Sequence, residues 1–164
     1  MADIISHKVL VAEDNAVVRK GLTNFLTKWG YIPVEAANGD VATNILENDQ
    51  DVRLAILDWN LPGLNGLQIC QRLRMRPQMP YVYIIMFSAR KSNEEKVLAL
   101  EGGADDYLIK PCKPSELRAR LGVGRRIIET ALSCSFPVAE CPENLTVQHK
   151  KPDEKTNAKK SDDG

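Results

Sequence analysis

Five polar residues stand where short apolar runs of this sequence stop, and their types belong together chemically. Glu13 and Asp14 follow the run 9–12, Asp58 follows 54–57 and opens Asp58-Trp59-Asn60, Ser88 follows 81–87, and Lys110 follows 107–109. Carboxylates gathered in one place repel and raise one another's pKa unless a cation lies among them, and a set of hard oxygen donors with room for water suits Mg²⁺. Such an ion would offset charge on the oxygens of a phosphoryl group. A lysine ammonium and a serine hydroxyl supply further contacts to a transferred group, and a carboxylate left over can be the nucleophile that forms an acyl phosphate. The residue set predicts phosphoryl transfer.

These side chains can meet only if the chain brings its strand ends to one edge. Up to about residue 130, short apolar runs alternate with amphipathic stretches, the pattern of βα units around a parallel sheet. Strands are predicted at 9–12, 32–36, 54–57, 81–87 and 107–109. They are mostly continuous apolar runs, as strands covered by helices on both faces should be. A helix capped by Asn15 carries Val18, Leu22, Phe25, Leu26 and Trp29 at helical spacing and stops at Gly30. Further helices are predicted at 40–48, 66–75, 93–101 and 114–132. The expected fold class is α/β, a doubly wound five-stranded parallel sheet with helices on both faces. Ligands of such sheets bind beyond the carboxyl ends of the strands.

A chain of 164 residues with 43% hydrophobic and 27% charged content holds one soluble domain with residues to spare. The domain is expected over 1–132. From Ser133 the periodicity stops, and 133–164 reads as a polar tail whose Lys-rich end, from His149 on, has no large apolar residue. So little apolar surface cannot offset the entropy of ordering, and the tail is expected to be largely disordered.

The formal charge is zero, with 22 basic and 22 acidic residues, so no global field draws the chain to nucleic acid or an anionic membrane. Neither direct nucleic-acid binding nor membrane association is expected. The amino terminus has no apolar signal segment and the run 81–87 is too short to span a bilayer, which points to the cytoplasm. Cys70, Cys112, Cys134 and Cys141 are irregularly spaced without a C-x-x-C, as suits reduced thiols rather than disulfides or zinc. Cys112 lies between Lys110 and Lys113, a setting expected to lower its pKa. Gly122-x-Gly124 falls inside a helical pattern rather than after a strand, so it is not a nucleotide loop.

In order, spacing and type, Glu13-Asp14, Asp58 with Asn60, Leu61-Pro62-Gly63-Leu64-Asn65-Gly66, Ser88 and Lys110-Pro111 make the sequence resemble the receiver domains of bacterial response regulators over roughly residues 7–130. The resemblance implies a flavodoxin-like sheet of strand order 2-1-3-4-5 and a role in a two-component phosphorelay. It implies that Asp58 is the phosphoacceptor and a metal ligand, that Asp14 binds Mg²⁺ directly and Glu13 through water, and that Asn60 offers its backbone carbonyl. Ser88 would be the hydroxyl residue that moves onto the phosphoryl group and Lys110 the lysine that contacts it. Pro111 would follow a cis peptide bond, and Tyr107 would be the aromatic switch residue. Pro62 and Gly66 fill the usual positions of the loop. Glu13, where many members have Asp, is a tolerated departure, and Arg90 falls at a position that varies widely.

The partners implied are a histidine kinase or phosphotransfer protein and a downstream protein target. A phosphorylation-dependent homodimer through the fourth helix, fifth strand and fifth helix is also implied, because 103–107 and a basic face of Arg118, Arg120 and Arg125 resemble surfaces that receivers pair across. By the same resemblance the chain is not an enzyme, and catalyses only its own phosphorylation and slow autodephosphorylation. Asn60 and Arg90 would flank the hydrolytic water; Asn60 can hold it, whereas Arg90 has donors only and should shield the phosphoryl group. The segment 116–129 also resembles a last receiver helix running into an output domain such as a cyclic-dinucleotide enzyme. The chain is therefore either a stand-alone receiver or the N-terminal receiver fragment of a longer regulator. A phosphatase with an aspartyl nucleophile would instead carry a D-x-D motif at its first strand, where this sequence has Glu13-Asp14.

Overall fold

Side chains along a strand alternate between the two faces of its sheet, and here both sets are apolar, so the sheet must be covered twice. The computed structural model describes residues 7–133. Strands β1 (Lys8–Ala12), β2 (Ile32–Ala36), β3 (Val52–Asp58), β4 (Tyr83–Ser88) and β5 (Asp106–Ile109) alternate with helices α1 (Ala16–Lys28), α2 (Gly39–Asn48), α3 (Gly66–Arg74), α4 (Asn93–Glu101) and α5 (Pro114–Ser133). All neighbours pair in parallel, in the order β2-β1-β3-β4-β5, so the expected fold class and strand order are both observed. On one face Val9, Val11, Ile56 and Ile85 pack with Leu22 and Leu26 of α1 and Leu117 and Leu121 of α5. On the other, Leu10, Ala55, Leu57 and Ile84 pack with Ala42 of α2, Ile69 of α3 and Ala99 of α4.

Strands β1 and β5 start one residue before the expected positions, and two strand starts differ by two residues. Strand β3 begins two residues early because its register with β1 slips: Lys8 faces Val52 while Val9 faces Leu54, leaving Arg53 as an inserted residue. Strand β4 begins at Tyr83, where pairing with β3 starts. Tyr81 and Val82 are held instead by side chains. Arg74 donates to the Val82 carbonyl at 3.0 Å, stacks 4.6 Å from the centre of the Tyr81 ring and pairs with Asp105 at 2.9 Å. The Tyr81 hydroxyl donates to Asp105 as well, and the Ile84 N–H donates to it at 2.7 Å. This network binds the end of α3, the approach to β4 and the turn before β5.

Asn15 caps α1 as expected, accepting from the Val17 and Val18 N–H groups at 3.0 and 3.2 Å. Gly122 and Gly124 lie within α5; a Cβ on Gly124 would fall 2.4 Å from the Tyr83 ring, so the helix sits there only because that residue has no side chain. The basic face expected on α5 is not formed. On a helix Arg118 and Arg125 lie about 20° apart but Arg120 about 200° from Arg118, and Arg120 turns to Asp106 at 3.1 Å while Arg125 reaches Glu129 at 3.6 Å.

Cys70 and Cys112 are free thiols. The lowered pKa expected for Cys112 is not found: burial and the nearby Glu116 carboxylate push it up. Cys134, Cys141 and the polar tail after Ser133 lie outside the described residues. Among the described residues, no helix is long and apolar enough to cross a membrane.

The loop after β3 folds back onto the strand it leaves. Gly63 takes a left-handed φ of +76°, and Gly66, opening α3, donates its N–H to the Trp59 carbonyl at 3.0 Å. A Cβ on Gly66 would lie 2.4 Å from the Asp58 carbonyl oxygen and 2.9 Å from the Met86 sulfur. Gly66→Ala should therefore destabilise the fold by about 1–3 kcal/mol, the usual cost of overpacking a tight site. Urea denaturation checks this; an unchanged midpoint would show that the loop yields freely.

Candidate functional site

Because β1, β3, β4 and β5 are adjacent and run the same way, their carboxyl ends form one edge. That edge carries Glu13, Asp58, Ser88 and Lys110, with Asp14 beside Glu13. Single carboxylate oxygens of Glu13, Asp14 and Asp58 lie within 4.8 Å of one another, with Glu13 and Asp58 buried and Asp14 exposed. Lys110 enters this cluster, its Nζ 2.6 Å from Glu13, 3.1 Å from Asp58 and 5.2 Å from the centre of the Phe87 ring.

The backbone sets that position. The Lys110–Pro111 peptide bond is cis, and the Lys110 N–H donates to the Ser88 carbonyl at 2.8 Å, fastening the end of β5 to the end of β4. The second oxygen of Glu13 accepts from the Asn15 N–H at 3.2 Å. Burial pushes the pKa of Glu13 up, and the Lys110 ammonium partly opposes that rise. The donors are hard oxygens, one of them open to solvent, and of the three carboxylates the Lys110 ammonium pairs with two, Glu13 and Asp58. Such a set fits Mg²⁺.

The family model of the response regulator receiver domain matches residues 9–122, a stretch that contains every one of these side chains. The chain belongs to that family. Among its relatives is the phosphate regulon transcriptional regulatory protein PhoB of Escherichia coli, 40% identical over 129 residues that make up 78% of this chain and 56% of PhoB. The chain thus spans little more than half the length of that relative. A chemotaxis protein CheY homolog of Campylobacter jejuni is 34% identical over 70% of this chain and 88% of its own length. A CheY-like receiver domain protein from Methanospirillum hungatei superposes with a TM-score of 0.68 at 26% identity, covering 76% of this chain and 97% of that one.

In this receiver domain the remaining predicted residues gather around Arg90. The Ser88 hydroxyl is fully buried and accepts from the Arg90 N–H at 3.2 Å, while the Tyr107 hydroxyl donates to the Arg90 carbonyl at 2.9 Å. The Tyr107 ring is buried too. The Arg90 guanidinium lies 5.0 Å from the centre of the Trp59 ring, donates to the Asn60 amide oxygen at 3.1 Å and pairs with Glu95 at 2.5 Å. Its Nε is buried without a partner. The Asn60 N–H in turn donates to Asp58 at 3.3 Å. The two residues expected to flank the site on either side are therefore bonded to each other.

Glu95 is the residue that the sequence reading missed. Its local role was visible, since Ser92-x-x-Glu95 is the spacing of a helix N-terminus and the Ser92 hydroxyl accepts from the Glu95 N–H at 3.1 Å. Its reach across to Arg90 depends on a loop path that no local pattern records.

Lys110 and a divalent cation compete for the same negative charge. Lys110→Met should thus tighten Mg²⁺ binding, by about tenfold for a gain on the order of 1.4 kcal/mol. Tryptophan fluorescence during a Mg²⁺ titration measures this, and an equal or weaker affinity would mean that the ammonium does not oppose the metal.

Proposed function

We propose that Asp58 accepts a phosphoryl group from a histidine kinase or phosphotransfer protein in the cytoplasm, and that the phosphorylated receiver acts on a downstream protein. The observation that carries this reading is the setting of Asp58, a buried carboxylate at the end of β3 with Lys110 Nζ at 3.1 Å inside an acidic cluster. A carboxylate oxygen of Asp58 attacks the phosphorus of a phosphohistidine. The P–N bond breaks, its electron pair goes to the imidazole, which takes up a proton, and an acyl phosphate forms. Held by Glu13, Asp14, Asp58 and the Asn60 carbonyl, Mg²⁺ would neutralise charge on the transferred oxygens.

Lys110 exchanges its contact with Asp58 for a phosphoryl oxygen while keeping Glu13. The Ser88 hydroxyl, now an acceptor for the Arg90 N–H, turns to donate to the phosphoryl group. Freed from it, the Arg90 backbone moves and the hydroxyl of Tyr107, which holds the Arg90 carbonyl, reports the change. The side of α4 and β5 that would respond already exposes Val97, Leu98 and Ile109, at 50%, 47% and 39%, which favours a protein partner or a second copy meeting this face.

Acetyl phosphate with Mg²⁺ should label the wild type once and leave Asp58→Asn unlabelled; chelating the metal should also stop labelling. Undiminished labelling of that variant, read by acid-labile phosphate, would sink the assignment.

Arg90 occupies the Asn60 amide oxygen that could otherwise orient a hydrolytic water. Arg90→Glu releases it and removes a cation from the front of the site. Decay of the acyl phosphate should quicken by about three- to tenfold, equivalent to about 1 kcal/mol of barrier. Equal or slower decay would show that Arg90 does not shield the phosphoryl group.

A further inference from the structure

Away from the acidic edge, α1 and α5 enclose a groove of about 810 Å³ whose walls differ in kind. The α1 wall is aromatic: Phe25 and Trp29 stack at 5.6 Å with 17° between their planes, and Lys28 lies 6.0 Å from the centre of the Phe25 ring. The α5 wall is made of Ala119, Gly122 and Val123. A Cβ on Gly122 would sit in ordinary contact, 3.7 Å from Nη1 of Arg126, so the groove wall admits a side chain there without a clash.

At one end the groove shares Phe25 and Pro114 with a cavity of about 230 Å³, lined by Val18, Leu22, Phe87, Pro111, Cys112 and Leu117 and reaching Lys110 of the acidic edge. An apolar cavity of about 150 Å³ already admits benzene, so this one has room for a bulky apolar side chain.

The rim is cationic. Most arginines among the described residues reach a carboxylate, Arg120 and Arg125 of the same helix included. Arg118 and Arg126 pair with none, nor does Lys28, and all three border the groove. Three cations without a carboxylate partner thus border one apolar floor, and no acidic residue lines it. An apolar centre with a charged rim is the anatomy of a protein interface.

We propose that this groove is a docking site for an acidic segment of a partner protein, which inserts one bulky apolar side chain into the cavity and sets carboxylates against Lys28, Arg118 and Arg126. A single-stranded nucleic acid fits less well. Stacking needs a free ring face, and Phe25 has Trp29 against one side and Lys28 near its ring.

The probe is a short fluorescein-labelled peptide of Glu and Ala carrying one Phe, followed by anisotropy and by backbone amide shifts. Binding should perturb Phe25, Trp29 and Gly122. It should weaken about tenfold or more in Arg118→Glu/Arg126→Glu, two exposed charge reversals, and also in Gly122→Phe, which fills the notch. The latter replaces a helix-interior glycine and should not cost the fold.

Loss of affinity is expected when Lys replaces Glu, or Ser replaces Phe, in the peptide. The proposal fails if the peptide does not bind, if the variants bind it equally, or if the Ser peptide binds as well as the Phe peptide. It fails equally if shifts map elsewhere, if oligo-dT displaces the peptide from the same residues at lower concentration, or if the groove proves to be covered by a second copy of the chain in sedimentation.

Discussion

A sheet buried on both faces leaves no place for charge along its strands. Apart from the inserted Arg53, the interior positions of β1, β3 and β4 are apolar because helices lie above and below, and polar chemistry is forced to the strand ends. Since all strands are parallel, those ends coincide at one edge. Glu13, Asp58 and Ser88 are buried there although all three are polar. Their partial desolvation follows from the architecture and needs no separate device.

Desolvation has an electrostatic cost that the edge meets with cations. Burial pushes the Glu13 pKa up, and the Lys110 ammonium, 2.6 Å away, is the nearest compensation. Three carboxylates against one ammonium leave a negative excess, so the pocket is attractive to a small hard cation and repellent to a bare anion. In front of it, Arg90 is bound through its side chain to the loop after β3 and to α4, and through its backbone to Ser88 and Tyr107. One residue thereby connects the loop after β3 with β4, α4 and β5.

The parts of this structure legible in the sequence are those set by local periodicity. The strand ends that carry Glu13, Asp58, Ser88 and Lys110 could be located because an apolar run stops there, and α1 because its apolar spacing, Asn15 and Gly30 agree. What stayed hidden is set by contact at a distance. Tyr81 and Val82 are as apolar as the strand they precede, yet pairing with β3 starts only at Tyr83, and the two are bonded instead to Asp105 and Arg74. The slip at Arg53 belongs to the pairing with β1, not to either strand alone. Arg118, Arg120 and Arg125 looked like one face until helix geometry and the carboxylates beside them separated Arg120 from the rest. Cys112 was misjudged because sequence neighbours are not spatial neighbours: burial and Glu116, rather than Lys110 and Lys113, set its ionisation.

The ion pair between Lys110 and Glu13 joins residues 97 positions apart. Closing so long a loop costs conformational entropy that the rest of the sheet, and not this one pair, must offset. Strands β1, β3 and β4 bring the acids and the serine together, but the ammonium comes only with β5. The complete edge therefore exists only in a sheet that includes its outer strand β5. The strand last in sequence thus supplies the charge that makes the carboxylate after the first strand tolerable.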